Sequence, residues 1–326
     1  MILLITSKSD ITTDYLIKNL VNRNISFFRF NIEDIILQYD VSILISSGLL
    51  ELVIHDKIRN TTIKSNDIIG AYFMKPQLPT FNKDDLETEV VFQKTEITET
   101  LRSIWRIIPE KKWLNHPENL WCASNKIKQL ILADKIGFNI PETLLSTIPK
   151  EIAYFYNKYD KNVIIKAVKH GFLLHNNCLN LILTSKLEEA DIDYIYSQDS
   201  VHPSLIQPNL DKEFDIRVTV IGNSVYATRI LSQMNIETKI DWRSWGTISD
   251  VNLPHERHKL PADIENKCIE INNKLNLNFS CIDLVMTNNG TYYFLEINPN
   301  GQWVWIEELM GYPISNSILD LLSKET

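Results

Sequence analysis

A chain of 326 residues is long enough for two or three packed domains. Its balance of 44% hydrophobic and 23% charged residues is that of an ordinary globular protein with room for a sizeable core. The formal net charge of −8 argues against a general nucleic-acid binder, although a local basic pocket remains compatible with it.

The opening stretch, Met1–Thr6, is apolar for five residues and then turns polar, too short for a signal-peptide core, and reads as a first buried strand. Residues 12–23 have the apolar spacing of a helix (Ile11, Leu16, Leu20), residues 26–31 alternate as a strand, and residues 68–74 form another apolar run. This alternation predicts a small α/β domain with a parallel sheet over residues 1–115, closed by a long amphipathic helix over 87–108 that Pro109 stops. A second region, 116–205, holds a helix ending at Gly137 and a β-rich run at 162–168. The third, 206–326, contains strand pairs, a helix over 262–275 and a final hairpin. Cys122, Cys178, Cys268 and Cys281 are scattered without a CxxC pair, which fits reduced thiols rather than a zinc site or a disulfide framework. No run approaches the ~20 apolar residues of a membrane span, so a soluble, cytoplasmic protein is expected.

The final hairpin carries the chemistry. Two β-rich runs, FSCIDLVM and TYYFLEIN, flank Thr287-Asn288-Asn289-Gly290, and Asn-Gly is the preferred pair for a two-residue turn. That turn would set Asp283 directly opposite Glu296, with Asn298 on the same face. Opposed carboxylates are unfavourable alone. Together with an amide oxygen they are hard ligands suited to Mg²⁺. Upstream, Arg217 and Arg229 flank a turn at Gly222-Asn223-Ser224. A three-residue loop there would oppose the two arginines and call for an anion between them.

Asp283 followed by Glu296-Ile297-Asn298 resembles the metal signature of the ATP-grasp superfamily. The resemblance implies an ATP-grasp fold, with ATP and Mg²⁺ as cofactors. It implies that Lys126 and Lys166 contact the α- and β-phosphates. It makes Leu205–Leu210 the hinge that meets adenine through Gln207, Asn209 and Leu210, and gives Glu213 the ribose hydroxyls. Asp241-Trp242-Arg243-Ser244 resembles a stretch of the ribosomal-protein glutamate ligase, which makes Arg243 a contact for phosphate or for substrate carboxylate beside Arg217 and Arg229. The chain departs from the family after Lys166: Lys169-His170-Gly171 supplies one glycine where many members have a glycine-rich flap.

The ending Asn298-Pro299-Asn300-Gly301-Gln302-Trp303-Val304-Trp305-Ile306-Glu307 is similar to the microviridin-type peptide ligases, the graspetide synthetases. That likeness extends to Ala123–Lys126, Ile140–Leu144 and the opening residues, and so spans essentially the whole chain. It implies an ADP-forming ligase that activates Asp or Glu side chains of a ribosomal precursor peptide and joins them to Thr or Ser hydroxyls or a Lys amine. It also implies leader recognition near residues 170–200 and a homodimer. The alternatives are a ligase of the ribosomal-protein glutamate type and an ATP-grasp phosphotransferase. His170, His175, His255 and His258 read as loop residues rather than ligands, and Trp303 and Trp305 as packing residues.

Overall fold

The computed structural model describes residues 1–81, 86–169, 171–175, 178–247 and 252–324. The N-terminal region alternates β1 (Ile2–Thr6), α1 (Ile11–Asn22) and β2 (Phe27–Asn31). It then adds an antiparallel trio, β3 (Tyr39–Ser46), β4 (Leu49–Asp56) and β5 (Thr61–Lys64), that the sequence patterns did not announce, before β6 (Gly70–Phe73). Strands β2, β1 and β6 pair in parallel, with β1 in the centre and buried along its whole length. Asp10 starts α1 by accepting the N–H of Thr13 at 2.9 Å, which satisfies one orphan donor of the first turn. The long helix α2 (Glu87–Ile107) buries only Leu101, Ile104 and Trp105, near its C-terminal end.

Two helices follow, α3 (Pro117–Ala123) and α4 (Lys126–Ile136), the latter ended by Gly137 at φ 91°. Their apolar faces (Leu120, Leu130, Ala133) join the core of the C-terminal sheet. Next come β7 (Leu144–Ser146), α5 (Pro149–Lys158), β8 (Val163–Lys166), β9 (Phe172–His175), β10 (Cys178–Leu181), β11 (Ser185–Lys186), α6 (Glu189–Tyr196) and β12 (Ser204–Pro208). Strands β11, β8, β12 and β7 form one antiparallel sheet, and β9 with β10 a separate hairpin. Ile152, Phe155 and Ile192 of the two helices close the core beneath Val163 and Ile206.

The C-terminal part is a five-stranded antiparallel sheet in the order β15 (His255–His258), β14 (Ser224–Ile230), β13 (Lys212–Ile221), β16 (Phe279–Thr287) and β17 (Tyr292–Asn298). Helix α7 (Ala262–Lys274) packs with α4 on one face. Helices α8 (Val304–Met310) and α9 (Ile314–Leu322) return to the N-terminal sheet, where Ile314, Ile318 and Leu319 meet Leu16, Leu20 and Tyr72. The terminal helix thus ties the two ends of the chain together. The mixed α/β fold is the one expected from sequence.

Two turns differ from expectation. Ile221 pairs with Ser224, so the β13–β14 loop has two residues, with Gly222 at φ 55° in the first position that a type II′ turn reserves for glycine. Arg217 therefore faces Thr228, and Arg229 lies beside Ile216 on the opposite face. The opposition of Arg217 to Arg229 is corrected: a loop one residue shorter turns the second arginine over. The β16–β17 loop has three residues instead of two, since Thr287 N–H donates to Thr291 O at 3.0 Å. A bulge at Leu295 absorbs the difference, and Asp283 still pairs with Glu296.

Candidate active site

Between the central sheet and the C-terminal sheet lies a cavity of about 490 Å³, within the size range of small-molecule pockets. Ile164, Ile182, Val285 and Leu295 supply apolar walls. Among its described lining residues are six cations (Lys75, Lys126, Lys166, Lys169, Lys212, Arg243) and four carboxylates (Asp215, Asp241, Asp283, Glu296). A protein of net charge −8 thus concentrates positive charge in one hole, which favours an anionic ligand.

Four acids there have partners. Asp283 accepts two bonds from Arg217 Nη1, each at 2.9 Å, and a third from the Asn298 amide at 2.8 Å. Arg217 sits on β13 directly across from Asp283, so adjacent strands place the pair. Glu296 meets Lys126 Nζ at 3.2 Å, and the same ammonium donates to Ala167 O at 3.0 Å. Asp241 receives Arg243 Nε at 2.8 Å and Nη2 at 2.6 Å. Asp215 holds Lys212 Nζ at 2.8 and 3.0 Å. Lys75, Lys166 and Lys169 have no hydrogen bond or ion pair among the described residues, which leaves three cations to meet a bound anion.

Titration follows from these surroundings. Burial draws Lys166 down to about 8; Glu296 opposes the shift and Lys126 adds to it. Burial pushes Asp283 up, Arg217 pulls it down and Glu296 across the ladder pushes it up again, for a net rise. Burial also works on Glu296, but Lys126, Arg243 and Lys166 outweigh it and hold that carboxylate below its usual value. Asp241 is raised by burial and then carried to about 2 by Arg243 and the Thr184 N–H. Asp283 and Glu296, opposed on neighbouring strands with Asn298 beside them, are hard oxygen donors whose mutual repulsion a divalent cation would relieve; the donor set fits Mg²⁺. No group of three His, Cys, Asp or Glu side chains suited to a metal occurs among the described residues, and here the third donor is an amide.

Of the residues singled out from sequence, Lys126, Lys166, Gln207, Asn209, Leu210, Arg243, Asp283, Glu296 and Asn298 line this cavity. Gln207 donates to Thr143 Oγ1 at 2.9 Å, while its buried Oε1 has no partner among the described residues. The Asn209 N–H is engaged by Asn162 O at 2.9 Å. Arg217 reaches the cavity's edge through Asp283. Glu213 does not come in: the β13 ladder slips between Lys212 and Phe214, leaving Glu213 as the exposed extra residue of a bulge. Arg229 is also outside, paired with Glu256 Oε2 through Nε at 2.7 Å and lying over the Phe214 ring. His170 falls outside the described residues. Sequence reasoning passed over Lys75 and Lys212. Only burial would have flagged the latter, since a lysine 9% exposed on a strand requires an acid such as Asp215.

The Asn-Gly-Gln-Trp tail has a structural reason. A Cβ on Gly301 would come within 2.6 Å of Cys281 Cβ and 2.9 Å of Arg217 Nη2, so only glycine lets the chain pass over the guanidinium. Trp303 then fills the core fully buried.

Comparison with known proteins gives a consistent picture. Residues 123–322 match the family of the RimK-like ATP-grasp domain. No curated protein matches. Among solved structures, the RiPP-associated ATP-grasp ligase of Chryseobacterium gregarium, solved in complex with ADP and a leader and core peptide, superposes with a TM-score of 0.86 at 26% identity, over 98% of this chain and 96% of that one. The macrocyclase MdnC of Microcystis aeruginosa MRC, bound to its precursor peptide MdnA, superposes with a TM-score of 0.85 at 22% identity over 99% of both chains. The ATP-grasp ligase PsnB, solved with a variant of its minimal precursor, Mg and ADP, gives 0.73 at 18% identity over 98% of both. The last two establish the shared fold.

Proposed function

Because the chain belongs to the RimK-like ATP-grasp family, we propose that it is an ADP-forming ligase that tailors a ribosomal precursor peptide, activating Asp or Glu side chains as acyl phosphates and joining them to Thr or Ser hydroxyls, or to a Lys amine, to close macrocycles. The observation that carries this is the cavity itself, which holds an opposed carboxylate pair and an amide together with Lys75, Lys166 and Lys169, which have no acidic partner among the described residues. The likeness to the Chryseobacterium gregarium ligase over nearly the whole length of both chains supports a peptide as the substrate.

The residues divide the work. The apolar walls and the unpartnered Gln207 Oε1 suit a nucleobase that offers an amine. Lys126 and Lys166 hold the triphosphate. Asp283, Glu296 and Asn298 would hold a Mg²⁺, which would supply positive charge to offset that developing on the transferring phosphate. A substrate carboxylate oxygen bonds to the γ-phosphorus as the bond to ADP breaks, and Arg243 and Arg217 offset the repulsion between the two anions. The hydroxyl or amine then attacks the acyl carbon, loses its proton and expels phosphate. Both reacting groups lie on one peptide, which keeps their effective concentration high.

In this reading residues 116–205 supply the lid and the leader contacts. The protein would work in the cytoplasm, and no helix among the described residues is long and apolar enough to cross a membrane. It would act as a homodimer; the exposed Ile45, Leu49 and Leu50 of the β3–β4 hairpin and Val91 and Phe92 on α2 are the apolar surface such a pair would cover.

Intact mass of an acidic, Thr/Ser-containing precursor encoded nearby, after incubation with the protein, ATP and Mg²⁺, tests the proposal. Loss of one water per bond is expected. A gain of phosphate would instead establish a phosphotransferase. With free glutamate also supplied, its addition to the peptide would instead establish a ligase of the ribosomal-protein type.

A further inference from the structure

The N-terminal parallel sheet sends one residue into the cavity. Beyond β6, Met74 is locked: its N–H donates to Ile5 O at 2.9 Å, its carbonyl accepts Thr6 Oγ1 at 3.2 Å, and its side chain is buried. Lys75 then adopts φ 43°, the left-handed region, which is strained for a residue bearing a Cβ. Pro76 follows and narrows the choices of Lys75 further. Strain of this kind gathers at ligand sites. The position is also where open α/β sheets take ligands, at the carboxyl ends of parallel strands.

Among the described residues of 1–115, Lys75 alone lines the cavity. Its side chain is accessible from the cavity, yet protein crowds it enough that desolvation lowers its pKa; Asp10 opposes that shift and Arg217 reinforces it. Asp10 forms no ion pair with it; the Asp10 Oδ2 instead accepts Thr6 Oγ1 at 3.0 Å and Thr13 N at 2.9 Å, and its charge reaches Lys75 only through space. The charges felt by Lys75 are those of Asp10, Arg217 and Cys281, whereas Lys166 feels Glu296, Lys126, Lys212 and Asp241. The two lysines reach the cavity from different sheets, Lys75 from just beyond β6 of the N-terminal sheet and Lys166 from the end of β8 in the central sheet.

Resting on the ligase reading above, we propose that Lys75 anchors the substrate carboxylate, the Asp or Glu side chain that becomes the acyl donor, beside Arg217, and takes no part in holding the nucleotide. The N-terminal region thereby contributes a specificity-determining cation to a site otherwise built from the remainder of the chain. A neutral side chain such as Asn or Gln would gain nothing from it.

Competitive acetylation of the full-length protein, read lysine by lysine by mass spectrometry, tests this with glutarate as a probe. Mg-ADP alone should slow labelling of Lys126 and Lys166 and leave Lys75 unchanged. Glutarate added on top should slow Lys75 several-fold and spare exposed Lys128. Protection of Lys75 by Mg-ADP alone, or none by glutarate, would overturn the assignment. In turnover, Lys75→Met should raise KM for the precursor about tenfold or more with ADP affinity unchanged, and Lys75→Arg should recover part of the loss. An unchanged KM, or a matching fall in ADP affinity, also overturns it. If the wild-type protein forms no bond in any precursor, the ligase reading fails, while the labelling experiment still answers for Lys75.

Discussion

Two hairpins of the same sheet, β13–β14 and β16–β17, each turn on a glycine at positive φ, yet only one delivers the pairing that its turn residues suggest. In β13–β14 nothing compensates for the loop length, so a single residue decides which face Arg229 occupies. In β16–β17 the loop is one residue longer than Asn-Gly implies, and the bulge at Leu295 restores the register before the ladder reaches Asp283. The bulge also puts Leu295 on the cavity wall. Turn chemistry alone does not fix a distant pair; the pair holds where the strand carries its own correction.

The largest expected effect tests the inward face of that second hairpin. Glu296→Gln keeps the shape but removes one ligand charge, and the rate of bond formation, followed as water loss by intact mass, should fall at least about a hundredfold. Thermal unfolding should move little, because relief of the Asp283 repulsion offsets the lost partner of Lys126. If activity survives, the opposed carboxylates are not the metal site. Arg217→Met comes next. It strands Asp283, whose side chain is 13% exposed, without its guanidinium, and should cost about 3–5 kcal/mol in denaturant unfolding together with activity.

How legible was this in the sequence? The β1–α1–β2 unit, α2, α4 and α7 were readable because each has regular apolar spacing and a nearby stop such as Pro109 or Gly137. The β3–β5 trio was passed over, because apolar residues such as Leu44, Ile45, Leu49 and Leu50 stay exposed there and blur the in–out alternation that marks a half-buried strand. Asp283, Glu296 and Asn298 could be placed from a motif, since strand alternation fixes a face. Glu213 and Arg229 could not: a bulge in one case and a loop length in the other depend on packing that local spacing does not encode. Lys75 carries no motif, and only its φ and its place at the end of β6 single it out.

A milder test separates the two lysines assigned to phosphate. Lys166 titrates at about 8 in the free protein, so below that pH it meets a polyphosphate already charged. Above it, binding has to take up a proton, and ADP affinity should weaken by up to about tenfold per pH unit. Calorimetry in buffers of differing ionisation enthalpy would show that uptake directly. Lys166→Arg should flatten the profile. An unchanged slope in the variant would move the titration to another group.

The smallest effect is expected at Arg229. Its pair with Glu256 is exposed on both sides, at 40% and 44%, and solvent screening limits such a pair to about 0–1 kcal/mol. Arg229→Met should therefore leave the unfolding midpoint nearly unchanged and bond formation within about twofold, with some loss from the Phe214 contact. Set beside Arg217→Met, it is a control within the same hairpin, because the two arginines differ by one step of register and therefore by face. A collapse of activity in Arg229→Met equal to that of Arg217→Met would mean that the hairpin pairs in solution with a three-residue loop, and that both guanidinium groups face the anion.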